Sequence, residues 1–213
     1  MNRSISQLLT CLALCLGTTV AVAQDNTVSA DDIRARWEHA NFELSGDARE
    51  HALEEVAAAC EQATGTHRED AALLTWCGIT HSSYAGAKGG LGALGEAKRA
   101  RALLEQAVEA DRSVLNGAAL CSLGTLYAKV PGWPLGFGDD ERAEKYLQEA
   151  LTVAPDDIDN NYFMADFLYG EHRREEALKY LQHAQQASPR PGREVADRGR
   201  QVEISQLATQ LAK

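Results

Sequence analysis

The chain has 213 residues, 45% of them hydrophobic and 24% charged, so it can bury a sizeable core and is not a disordered tail. A formal net charge of −10 argues against nucleic-acid binding, which needs a basic face to neutralise phosphates. Few aromatics (6%), only 5 prolines and abundant alanine favour helix over strand.

The first element is a leader. Arg3 is the only charge before Asp25, an apolar run from Ile5 to Val22 follows it, and Ala21-Val22-Ala23 supplies the small residues that signal peptidase accepts. This divides the chain into a signal peptide at 1–23 and a single domain at 24–213. The alternative is an uncleaved anchor, but the apolar core Leu8 to Leu16 is short for a span, and no second stretch has the length to cross a membrane. Leu14 precedes Cys15 where a lipoprotein signal has a small residue, so the mature chain is expected to be exported, in the bacterial periplasm, with no membrane span. Cleavage removes Arg3 and none of the 31 acidic residues, which makes the chain more acidic still. Cys11 and Cys15 leave with the leader, and Cys60, Cys77 and Cys121 remain.

The mature chain then reads as helices. The first spans about 29–44, with Ser29 as N-cap and Asp32 in the capping-box position, and the second about 47–64, capped by Asp47. Pairs follow at about 68–85 with 96–111, 114–129 with 139–154, and 157–171 with 173–187. Pro189 and Pro191 break the chain, and a last helix at about 193–212 carries Val202, Ile204, Leu207 and Leu211 as its apolar stripe. Two glycine-bearing insertions, AKGGLGALG near 87–95 and VPGWPLGFG at 130–138, each join the two helices of one pair and are expected on one edge, as binding surfaces of repeat proteins often are.

Comparing the chain with itself exposes a repeat. AEKYLQEALTVAP at 143–155 and ALKYLQHAQQASP at 177–189 agree at seven of thirteen positions, all at an offset of 34. That offset is the tetratricopeptide period. Ala143 and Ala150 share one helix face with Leu147 between them, so a second helix can approach closely while leucine fills the groove. Weaker copies read Ala100, Leu104, Ala107 and Ala52, Val56, Ala59, and the partner helices carry Gly78, Gly124 and Ala165 at the crossing. The expected fold is therefore all-α, a tetratricopeptide-like solenoid of helical hairpins closed off by a C-terminal capping helix.

GWPLGFGDDERAEKYLQEAL, with KGGLGALGEAKRARALLEQA upstream, resembles the tetratricopeptide-like periplasmic proteins related to the T component of TRAP transporters. The resemblance covers roughly residues 70–200 and implies a helical periplasmic protein that oligomerises and docks a solute-binding protein. The chain departs from that family in lacking a lipobox cysteine.

Residues that carry catalysis are not evident. Gly90-x-Gly92-x-x-Gly95 matches the dinucleotide fingerprint, but that mechanism needs a preceding strand, and here a helix precedes it. His39, His51, His67, His81, His172 and His183 show no zinc spacing, and His81 reads as a core histidine. Ser82 and Ser83 lack a glycine elbow, and Cys121 has no histidine near it in sequence. The chain is read as a non-enzyme without cofactor or metal.

A binding role remains. Helical register puts Thr75, Ile79, Ser82, Cys121, Thr125, Lys129, Asp159, Tyr162, Asp166 and Tyr169 on the concave side. Tyrosines beside carboxylates suit a peptide or a cationic group, the alternative being that Tyr162 and Tyr169 pack on the terminal helix. Trp133 and Phe137 in the second insertion are further anchors, unless the tryptophan folds back on its own repeat. Cys60 and Cys77 fall at similar height on consecutive antiparallel helices, so a disulfide is open to them, as is the reading of all three cysteines as small buried hydrophobes. The candidate partner-binding set is thus Thr125, Lys129, Trp133, Phe137, Asp159, Tyr162, Asp166 and Tyr169. Its occupant is a protein or peptide, with self-association also open; the alternative is that the chain is a ligand-holding, oligomeric partner of a solute transporter of the TRAP type.

Overall fold

The computed structural model describes residues 28–66 and 69–213; the expected leader at 1–23, with Cys11 and Cys15, and His67 lie outside them. The described elements are all helical: α1 (Ala30–Phe42), α2 (Gly46–Thr66), α3 (Ala71–Lys88), α4 (Gly90–Ala110), α5 (Val114–Lys129), α6 (Asp140–Val153), α7 (Ile158–Gly170), α8 (Arg174–Gln186) and α9 (Glu194–Leu211). Side chains fix their starts. Ser29 and Asp32 form the reciprocal capping box of α1, and Asp70, Asp139 and Asp157 accept from first-turn amides of α3, α6 and α7. Asp47 lies in the first turn of α2, which begins one residue earlier at Gly46.

The hairpins α3–α4, α5–α6 and α7–α8 are the tightest pairs, and they stack as a tetratricopeptide-like solenoid. Their seam is the repeated Ala-Leu-Ala register. Ala100, Leu104 and Ala107 on α4, Ala143, Leu147 and Ala150 on α6, and Ala177, Leu181 and Ala184 on α8 are all buried. Gly78 and Gly124 let their helices approach so closely that an added Cβ would meet Leu104 and Leu147. On α2 the register shifts by one from the sequence expectation, because Leu53, Ala57 and Cys60 carry the buried 4–3 spacing while Ala52 and Ala59 are only partly buried. Cys60 thus stands where the other copies have their second alanine. There it is bonded to Cys77 of α3, with Cα atoms 5.4 Å apart.

Two expectations are corrected. The first glycine insertion is mostly helix, since α4 begins at Gly90; the chain reverses over Gly89 and Gly90, both at positive φ, and packing on α3 carries the helix through the poor helix formers. The second correction concerns α9, which does more than cover the last hairpin. It packs on α7 and α8 and also reaches α1, so the odd-numbered helices α1, α3, α5, α7 and α9 each touch the next and α9 returns to the first. The inner layer is a ring. Ile204, Leu207 and Leu211 of α9 are buried as its apolar stripe, but Val202 faces outward at 56% exposure, and the stripe instead runs through Ala196 and Arg200.

Candidate functional site

The ring encloses a pocket of about 340 Å³ to which all five inner helices contribute. The closing contact is built from charge and shape. Arg193, just before α9, pairs with the buried Glu38 of α1; Arg34 of α1 bonds the same carboxylate and donates to the Gly192 carbonyl at 3.2 Å. Phe42 of α1 fills the space that a side chain at Gly199 of α9 would need.

Facing this contact, α9 is seated on α7. Arg200 donates from Nε to Asp159 at 2.7 Å and pairs with Glu203, while its guanidinium covers the rings of Tyr162 and Phe163 at 4.6 and 4.4 Å from their centroids. Arg190 reaches the other Asp159 oxygen at 2.7 Å and is itself held by Asp197 at 2.8 Å. Burial alone raises a carboxyl, but the two guanidiniums beside Asp159 overcome it and hold this acid well below the usual carboxylate range. The Tyr162 hydroxyl is pushed up to about 12, first by burial and then by Glu203 and Asp166. Asp157 and Glu203 are raised mainly by burial.

The rest of the wall is aromatic and hydroxylic. Trp37 of α1 donates to Ser83 of α3 at 2.9 Å and lies 5.5 Å from Trp76, over which the Arg193 guanidinium sits at 5.0 Å. Cys121 is buried in this wall and its thiol is raised well above the ordinary value, chiefly by burial, which favours the neutral thiol. His81 is a core histidine within 2.8 Å of Glu96 and is not among the residues lining this pocket. Among the described residues, no group of three or more His, Cys, Asp or Glu side chains is placed to hold a metal, and no helix is long and apolar enough to cross a membrane.

Of the residues singled out from sequence, Thr125, Lys129, Asp159, Tyr162 and Asp166 line this one pocket, with Lys129 and Asp166 paired at 2.7 Å. Asp159 spends its carboxylate on the two arginines, so its part is to seat α9. Tyr162 packs under Arg200 of the terminal helix, whereas Tyr169 packs partly buried against the core outside the pocket. Phe137 is also turned inward, edge-on to Tyr127 at 5.6 Å and 4.4 Å from the Arg101 guanidinium. Trp133 does not fold back and is 90% exposed. Arg190, Arg193, Arg200, Trp37 and Trp76 also line the pocket and lie outside the set expected from helical register. For Arg200 a signal existed: it falls in series with Ala196, Ile204, Leu207 and Leu211 on the buried stripe of α9.

No protein-family model matches the chain, and no curated protein matches it. Among solved structures the chain is similar to one titled "MamA RS-1 ArsTM double mutant", at 16% identity and a TM-score of 0.45, covering 85% of this chain and 95% of that one.

Proposed function

We propose that the chain is an exported, non-catalytic interaction module whose protein or peptide partner enters the ring pocket with one side chain or a chain end and also touches the α5–α6 loop. The observation that carries this reading is the closure of the inner ring by α9. An open solenoid offers a groove along its whole length, whereas here the return of α9 to α1 confines access to a pocket. The pocket holds about 340 Å³, and its aromatic and paired-charge wall suits a short insertion. The leader-like sequence at 1–23 and the Cys60–Cys77 bond support the export part of this reading.

A second reading is a small-ligand holder serving a TRAP-type transporter. The pocket volume favours it, lying at the lower end of the range for small-molecule sites. Photo-crosslinking from position 162 in the exported fraction of the native host separates the two. A protein adduct at that position is the expected result. A small molecule retained in the native mass spectrum, with no protein adduct, replaces the first reading with the second.

A further inference from the structure

The loop from Pro131 to Asp139 is built as a fixed support. Gly138 donates its amide to Pro131 and Asp139 to Tyr127, both at 3.0 Å, and Leu135 and Gly136 both donate to the Gly132 carbonyl at 3.1 Å. Gly136 and Gly138 admit no side chain, because a Cβ at either would run into the Pro131 or Val130 backbone. Phe137 pins the loop to α5 through Tyr127. On this support Trp133 and Leu135, two residues apart, are 90% and 74% exposed, the two most exposed large hydrophobic side chains among the described residues.

The surroundings decide what fits there. After the tip, Asp139 is paired with Arg142 at 3.3 Å, whereas Asp140 and Glu141 stand exposed, and the whole chain is net acidic at −10. An anionic bilayer and a second copy of this chain are both repelled by such a skirt. Lys129, the last residue of α5 and four before Trp133 in the chain, lines the ring pocket, so the loop leaves α5 from the pocket's own edge. We infer that Trp133 and Leu135 form a preformed two-residue anchor for a protein partner that offers an apolar cleft edged by lysine or arginine. Because the backbone is already fixed, little ordering entropy opposes docking. The inference rests on the reading of the chain as a partner-binding module.

The test places a photo-crosslinker at position 133 and, in a separate sample, at 162 of the full chain, maps the crosslinked residues, and titrates the purified partner. The expected adduct maps to an apolar cleft bordered by Lys or Arg. W133A then weakens binding by about thirtyfold, as for a central aromatic anchor, with helicity unchanged. The pair D140K/E141K also weakens binding and flattens its salt dependence. A cleft without basic residues, an affinity indifferent to W133A, or an adduct with a second copy overturns the inference. So does a blue shift in emission, lost in W133F, on vesicles of three parts phosphatidylcholine to one of phosphatidylglycerol. A protein adduct at 162 with none at 133 removes the anchor and leaves the pocket reading standing; adducts at neither remove both.

Discussion

Arg200 and Asp159 stand 41 residues apart in sequence and 2.7 Å apart in space, and their pairing seats the last helix against α7 at the edge of the pocket. Asp159→Asn leaves Arg200 and Arg190 without their shared anion and is expected to destabilise by about 3 kcal/mol in urea unfolding. Because the folded carboxyl lies below its ordinary range, the pair contributes fully above that range. The contribution then falls progressively as pH drops from that range to the depressed folded value. The wild-type chain should therefore keep α9 seated through mild acid, and the variant should not. Amide exchange in α9 at pH 4 and pH 7 reads this.

Tyr162 sets an alkaline limit. Its folded pKa is raised to about 12, so its contribution is intact below the ordinary tyrosine value and is lost as pH climbs through the raised one. Between pH 10 and 12 the wild-type chain should lose about 1–2 kcal/mol, after allowing for solvent screening, that Tyr162→Phe does not lose. Urea midpoints across that window, beside absorbance at 295 nm, provide the check.

The two close helix crossings should differ in tolerance. A Cβ at Gly124 would meet the Ala143 carbonyl oxygen at 2.9 Å, which is backbone and cannot swing aside, whereas at Gly78 the nearest backbone atom is 3.3 Å away and the rest is the Leu104 side chain. Alanine improves helix propensity by about 1 kcal/mol at either site. Gly124→Ala should still come out destabilised by about 1–2 kcal/mol and Gly78→Ala nearer neutral, as measured by thermal melts.

Cys60 fills an alanine position, so Cys60→Ala with Cys77→Ala should cost little in packing and chiefly the closure of a short loop, about 3 kcal/mol. Reduction of the wild-type chain should give the same loss. A much larger loss in the double alanine variant alone would place the cost in packing.

Gly199→Leu drives a side chain into Phe42 and should part α9 from α1 while α7 keeps its hold. Small-angle scattering should show a larger radius of gyration, and crosslinking from position 162 should broaden to more products.

How much of this was legible depends on what a residue's spacing can express. The Ala-Leu-Ala seams and the hairpin order are local and periodic, and they were readable down to the glycines at the crossings. On α2 the apolar residues Ala52, Leu53, Val56, Ala57, Ala59 and Cys60 offer two registers at helical spacing, and only packing against α3 chooses Leu53, Ala57 and Cys60. The glycines of GGLGALG were read as loop on intrinsic propensity, and tertiary contact overrode it. The pocket's basic wall was hidden because isolated arginines look like a solvated face. Arg193 and Glu38 lie at opposite ends of the chain, and only the curvature accumulated over the intervening hairpins brings them together.

That curvature also removes a freedom that linear repeats enjoy. An open stack can gain or lose a hairpin and merely change in length, because each unit answers only to its neighbours. Here α9 must land on α1, so the inner layer has a perimeter, and five helices satisfy it. Duplicating the α5–α6 hairpin would not lengthen the protein; it would leave Glu38 without Arg193 and the circle unable to meet itself.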